Sequence, residues 1–348
     1  MKRIYCAIFL LAGSLWIGCR QHRTQVQPAV YHWESYFNLG PQELDWLQTQ
    51  QIRRIYLRMF DIDWDAQLRQ AIPVGVLQPP DSTFRPEREI VPTFFITNRT
   101  FQNLSVSETD SLVVRMLRKT RLKLGAQLNS PLVREWQFDC DWTESTRAMY
   151  FRFLENMERE LQKEGVDVSA TIRLHQVKYY RRTGVPPVDR GMLMFYNMGE
   201  LADPETANSI LDLETAQGYY FNFDTYPLSL DLALPLFRWG IVLRNEKMVR
   251  LINGLSVPDL QDTSRFHFRD ATHVEIRKST YLNGYYLYSG DEIRLEWIPV
   301  DLLHAAARDM HRVMPRAPEW ISFYHLSPET IKHYSHEELE TVCKILER

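Results

Sequence analysis

The chain has 348 residues, 45% hydrophobic and 24% charged, with 41 Lys and Arg against 44 Asp and Glu and a formal net charge of −3. That balance excludes proteins whose affinity comes from a concentrated basic surface, so nucleic acid is not an expected partner. The length suits one large barrel domain or two ordinary domains, and neither a GxGxxG after a strand nor a GxxxxGK[ST] supports a nucleotide site.

In chain order, Lys2 and Arg3 precede an apolar run, Ile4 to Leu15, too short to span a bilayer, followed by the small residues of a processing region up to Gly18. Residues 1–18 read as an export signal and 19–28 as a tether, and loss of the signal leaves the mature chain two charges more negative. The run Leu15-Trp16-Ile17-Gly18-Cys19 resembles a bacterial lipoprotein signal, with Trp16 where that pattern usually has leucine. The resemblance implies acylation of Cys19 and a lipid-anchored location in the bacterial cell envelope, periplasmic or on the outer-membrane face. Of the remaining cysteines Cys6 leaves with the signal, and Cys140 and Cys343 are expected as buried, unpaired thiols.

Apolar, β-branched segments recur at Ala29–Phe37, Arg54–Phe60, Ile90–Ile96, Glu135–Asp141, Val168–His175, Met192–Asn197, Leu228–Leu234 and Trp320–His325. Between them, and after the last, helical periodicity falls at Gln42–Gln50, Glu108–Leu124, Glu144–Glu164, Pro204–Gln217, Val300–Met314 and Ser335–Leu346. The alternation predicts an α/β protein, a (β/α)8 TIM barrel forming one domain over 29–348. The basic residues from Arg115 to Lys123 alternate with apolar ones and read as the solvated face of a helix. A β-hairpin-rich insertion after strand 7, residues 236–297, interrupts the rhythm with expected hairpins at Ile241–Leu251 and Tyr281–Glu296 and turns at Asn283-Gly284 and Ser289-Gly290. A strand-to-helix loop decorates the catalytic face of such a barrel. This one is rich in Trp and Tyr, which could cover the C–H faces of sugars or simply pack on each other.

Chemistry in a barrel belongs where the strands end. Period-2 alternation in Glu135-Trp-Gln-Phe-Asp-Cys-Asp-Trp142 puts Trp136, Phe138 and Cys140 on one face and Gln137, Asp139 and Asp141 on the other, successive members roughly 6.6 Å apart. The ends of the other strands add Glu34, Arg173, His175, Tyr196, Asn197 and Tyr324 to one mouth, whereas Asp61 and Asp63, before Trp64 in an expected turn, read as capping or salt-bridge acids. His333 with His336, and His304 with His311, lack a third ligand, so no metal and no cofactor is expected.

Phe138-Asp139-Cys140-Asp141-Trp142 resembles the fourth-strand motif of the chitinase-like glycoside hydrolases, in which Asp-x-Asp-x-Glu closes the strand, and Met194-Phe195-Tyr196-Asn197 resembles their sixth-strand Met-x-Tyr-Asp. Nearly everything after residue 28 resembles a bacterial lipoprotein family with a predicted glycoside hydrolase-like barrel. The chain departs from the chitinase-like pattern at Thr143, where the acid-donating glutamate belongs, and at Asn197, where aspartate belongs. The resemblance implies a membrane-tethered, monomeric, glycoside hydrolase-like protein acting on a saccharide. Asp141 is then the expected acid, Asp139 its electrostatic partner, and Glu34, Arg173, His175, Tyr196, Asn197 and Tyr324 hold substrate. A non-catalytic glycan-binding or structural envelope lipoprotein is the alternative. Replacing Cys19 with alanine should abolish lipid labelling and move the protein out of the detergent phase on fractionation; unchanged membrane partition would refute the anchor.

Overall fold

The structure, a computed structural model, describes residues 25–78, 88–125 and 133–348. Cys19, the export signal and most of the tether lie outside the described residues. Eight parallel strands, β1 (Gln27–His32), β2 (Arg54–Asp65), β3 (Glu89–Ile96), β4 (Glu135–Asp139), β5 (Asp167–Arg173), β6 (Arg190–Met194), β7 (Leu230–Pro235) and β8 (Trp320–Tyr324), pair in chain order. β8 pairs with β1, and the sheet closes into a TIM barrel. The expected strands therefore all occur, in the expected order.

The longer helices are α1 (Pro41–Thr49), α2 (Val106–Lys123), α3 (Arg147–Leu161), α4 (Val300–Val313) and α5 (His336–Leu346). Capping boxes start two of them: Ser105 with Glu108 on α2 and Ser335 with Glu338 on α5 satisfy backbone N–H groups that have no partner within the helix. Outward-facing rings bind the helices to the barrel. Phe94 stacks on Phe138 at 5.4 Å, and Phe138 meets Phe153 of α3 edge-on at 5.2 Å.

Inside the barrel, polar groups replace the usual aliphatic filling and pair with one another, although Arg54 Nε, Glu135 Oε1 and Ser322 Oγ are left without a hydrogen-bond partner. At the floor Arg54 donates to Glu135 at 2.7 Å and to Glu89 at 2.8 Å, and its guanidinium lies 4.0 Å from the centre of the Trp320 ring. Burial pushes Glu135 up to about 7 even though Arg54 works against it. One layer higher, the Tyr31 hydroxyl donates to Gln137 at 2.5 Å and Gln137 donates to Ser169 at 3.2 Å. Gln137 thus faces inward, as the alternation along β4 requires.

Several local expectations are corrected. β2 does not turn after Asp63; it runs on to Asp65 and pairs antiparallel with Gln70–Val74. The first and fifth strands stop at His32 and Arg173, and the fourth at Asp139, so Asp141 stands just beyond the strand. In place of a helix over Pro204–Gln217 only Leu213–Gln217 is helical. The cause is in the insertion: Arg294 donates to the carbonyls of Leu201, Asp203 and Pro204, and Glu296 accepts from the Ser209 amide, holding that segment as a loop. The second expected hairpin closes early. Thr280–Leu282 pairs with Tyr285–Leu287 across Asn283-Gly284, both with positive φ, as a two-residue hairpin turn prefers. Glu292–Glu296 instead joins Trp239–Arg244 and His273–Ile276 in a five-stranded antiparallel sheet with its own apolar core around Phe266 and Ile293.

Cys140 and Cys343 are buried and free. Among the described residues no helix is long and apolar enough to cross a membrane.

Arg294 and Glu296 form a fully buried pair 2.8 Å apart, with Trp239 Nε1 also donating to Glu296 at 2.8 Å. Removing one member leaves the other charge buried, so Arg294→Met should destabilise the protein by ~3–5 kcal/mol in urea unfolding. A loss below about 1 kcal/mol would mean that the pair does not hold the insertion to the barrel.

Candidate functional site

The site is built from residues at the ends of β4, β5, β6 and β8. Asp139 closes β4, and Thr171 and Arg173, two apart on β5, point at it because they share its inward face. Thr171 Oγ1 donates to Asp139 Oδ1 at 2.5 Å, and Arg173 Nη2 reaches the same oxygen at 3.4 Å. Arg173 Nε donates to Asp141 Oδ1 at 2.6 Å. One guanidinium thus spans both aspartates. Their side chains differ in depth: that of Asp139 is 7% exposed and that of Asp141 56%.

The electrostatics follow from that depth. Burial raises the Asp139 pKa, with the neighbouring Asp141 charge adding to it while Arg173 and the Thr171 hydroxyl work the other way. Burial also acts against the charge on Arg173, but the two aspartates more than offset it and raise its pKa. His175, at the rim, is lowered by burial and pulled back by Asp141. The deep aspartate, Asp139, therefore holds its proton more readily than an ordinary carboxyl.

Aromatic rings complete the mouth. Tyr324 stacks on Tyr196 at 5.2 Å, lies 5.6 Å from Tyr31 and 5.7 Å from Trp33, and meets Phe237 edge-on at 5.7 Å; Phe237 in turn lies 5.0 Å from Trp239. Two cavities open beside this cluster. One, of about 370 Å³, is lined by Asp141, Arg173, His175, Met194, Tyr196, Asn197 and Tyr219. The other, of about 450 Å³, is lined by Trp33, Glu34, Phe237, Trp239, Tyr324, His325 and Glu329 among others. Asn197 lines both, and its φ of 56° is one that asparagine tolerates better than most residues. Burial raises the Glu34 pKa, with Glu329 and Glu43 adding to the effect.

The structure thus gathers Asp139, Asp141, Arg173, His175, Tyr196, Asn197, Tyr324 and Glu34 at one end of the barrel; all but the buried Asp139 line one or both of the two cavities. Asp61 and Asp63 are engaged elsewhere. Asp61 accepts from Arg58 Nε at 2.8 Å, and Asp63, paired with Arg99 and bonded to Thr97, is held down to about 2. Thr143 is turned away from both cavities: its amide donates to Thr146 Oγ1 at 2.9 Å and its hydroxyl meets Ser145 at 2.9 Å, at the start of α3. Most of the insertion's aromatics are elsewhere too. Phe266 is buried in the insertion's core, and Tyr281, Tyr285, Tyr286 and Tyr288 are exposed on its outer hairpin. Of the insertion's aromatics Phe237 and Trp239 line the second of these cavities. Sequence reasoning missed Thr171 and Phe237 as site residues; the first was available from the two-residue spacing to Arg173. Among the described residues no group of three or more His, Cys, Asp or Glu side chains is arranged to hold a metal ion.

Neither a protein-family model nor a curated protein sequence matches the chain. Solved structures do. The spore cortex-lytic enzyme SleL of Bacillus cereus superposes with a TM-score of 0.54 over 92% of this chain and 75% of its own, at 13% identity. A chitinase from Chromobacterium violaceum gives 0.54 over 91% and 98%, at 10% identity. A class V chitinase from Nicotiana tobaccum gives 0.53 over 92% and 99%, at 12% identity. At such identities the likeness establishes fold: the chain has a glycoside hydrolase-like TIM barrel, distantly similar to those of chitinases and cortex-lytic enzymes.

A carboxyl whose folded pKa lies above its unfolded value binds its proton more tightly when folded, so stability falls as pH rises from the unfolded value through the folded one. Asp139→Asn cannot titrate. Relative to wild type its melting temperature should climb as pH increases above about 4, the ordinary carboxyl value. Asp141→Asn should change little, since the Asp141 side chain is largely open to solvent. A drop of more than about 10 °C in both variants, meaning more than ~2 kcal/mol in a domain this large, would make the pair structural.

Proposed function

We propose that the chain is a glycoside hydrolase-like protein, tethered by lipid at Cys19, that acts on a saccharide laid across the mouth of its barrel. The observation that carries the reading is the meeting of an aspartate pair spanned by one arginine with a wall of aromatic rings at the C-terminal ends of the strands. Sugars have polar edges and apolar C–H faces, and a groove with both kinds of surface matches both. Chitinases and a spore cortex-lytic enzyme on the same fold support the saccharide class. The anchor rests on the signal-like run before Cys19.

In the catalytic form of this reading the Asp139–Asp141 pair supplies the proton that position 143 cannot. Burial and the neighbouring Asp141 charge both act to hold a proton on Asp139, against Arg173 and the Thr171 hydroxyl. Asp141, at the rim, is the member able to reach a leaving oxygen. To act, it must carry the pair's proton and exchange its bond from Arg173 for one to the ligand; it gives that proton to the leaving oxygen as the glycosidic bond breaks, and the water that adds to the sugar returns one to the pair. Tyr196, Asn197 and His175 line the space where that sugar unit would sit.

A second reading, a non-catalytic glycan-binding protein, is favoured by two specific observations. Thr143, its hydroxyl bonded to Ser145, stands where an acid would be needed, and a carboxylate held by a permanently charged guanidinium is a better acceptor than proton donor. The two separate on product analysis. The full chain in detergent, incubated with N-acetylglucosamine oligomers and envelope polysaccharides across a broad pH range, should release shorter saccharides, with activity falling on the alkaline side. Asp141→Asn should then bind without turnover. Binding without product from wild type would leave the glycan-binding reading, and absence of any saccharide ligand would remove both.

A further inference from the structure

The 450 Å³ cavity holds one charge that the saccharide reading does not use. Arg238 follows β7 and lines this cavity, half-buried, beside Asn253 and Gly254. Among the described residues its side chain makes no hydrogen bond and no ion pair, and its Nε is fully enclosed without an acceptor. Almost every other buried arginine of the chain has a carboxylate: Arg54 has Glu89 and Glu135, Arg173 has Asp139 and Asp141, Arg190 has Asp231, and Arg294 has Glu296. A guanidinium partly withdrawn from water with no counter-charge is costly, and such a group in a native protein calls for a ligand or another explanation.

The other charges on the cavity wall do not supply the partner. Glu329 adds to the burial that raises the Glu34 pKa, and neither carboxylate pairs with Arg238. Burial works against the Arg238 charge, and Tyr334 and Asp259 alone act in its favour, with neither in contact by an ion pair. The cavity wall thus carries both signs of charge: the carboxylates of Glu34 and Glu329, and Arg238, which pairs with neither. Trp33, Phe237, Trp239 and Tyr324 lie in the same wall and offer flat apolar faces.

We infer that Arg238 forms an anion subsite that receives the carboxylate of an acidic sugar unit, and that the groove is directed to carboxylate-bearing rather than neutral saccharides. A planar guanidinium with a free fork suits a carboxylate, which it can meet with two parallel N–H donors. This inference rests on the saccharide reading and narrows it. Asn197, which borders both cavities, places the acidic unit next to the one held near Arg173 and Asp141, so charge recognition and the aspartate pair act on neighbouring units of one chain.

The test uses the full chain in detergent and two probes of equal length: a β-1,4-linked N-acetylglucosamine tetramer, and the tetramer in which alternate units carry a 3-O-lactyl carboxylate. Calorimetry on the wild type should show the carboxylated tetramer binding about tenfold tighter or more, the range expected for one charge-assisted pair. Arg238→Gln should erase that preference, and Arg238→Lys should restore part of it; a purely structural arginine would lower both affinities together and leave their ratio unchanged. Equal binding of the two tetramers by wild type, or a preference that survives in Arg238→Gln, would overturn the anion subsite while leaving the saccharide reading intact. Binding of neither tetramer would overturn both.

Discussion

The barrel mouth depends on Arg173. Its guanidinium touches both Asp139 and Asp141, and without it two carboxylates would face each other at the edge of a low-dielectric interior. Arg173 is itself held at its root, because its amide donates to Gln176 Oε1 at 2.8 Å where a short helix leaves β5. The bridge joins acids at different depths, and burial of the deeper one, Asp139, favours its proton. It also defines the space the ligand would enter, since Asp141 and Arg173 line the same cavity as Tyr196 and Asn197.

That arrangement continues downward through the barrel. Below the bridge, Tyr31 and Gln137 hold the middle, and below them Arg54 and Glu135 hold the floor. A closed eight-stranded barrel tolerates such layers because most of their polar groups meet a partner, and an unsatisfied group inside costs more than a hydrogen bond returns. The insertion is tied in by the same device, with Arg294 and Glu296 buried together and reaching across to the loop after β6. Against this pattern of paired charges the unpaired Arg238 stands apart, which is why its place on a cavity wall points to a ligand.

Much of this was legible in the sequence because it is local and periodic. Strands signal themselves by apolar and β-branched runs, and the alternation along β4 correctly turned Gln137 and Asp139 inward. What could not be read depends on partners distant in the chain. The 204–217 segment has helical periodicity, but Arg294, some ninety residues later, binds the carbonyls of Asp203 and Pro204 at its start, and Glu296 takes the Ser209 amide. The pattern from 281 to 296 looks like one hairpin, yet its last strand pairs with Trp239–Arg244 instead. The mouth residues were found as a set by assuming that strand ends converge; their pairings were not. Nothing local distinguishes the arginine that bridges two acids from one that is left alone.

The central claim is that the mouth between Arg173 and the Tyr324 ring is where a saccharide sits. A crystal structure of the protein soaked with an N-acetylglucosamine tetramer tests it most directly. The expected result is a sugar unit within hydrogen-bond reach of Arg173 or Asp141, with the C–H face of that unit or its neighbour against Tyr196, Tyr324 or Trp33. A sugar seated only on the exposed tyrosines of the outer hairpin, or crystals that take up none at saturating concentration, would contradict it.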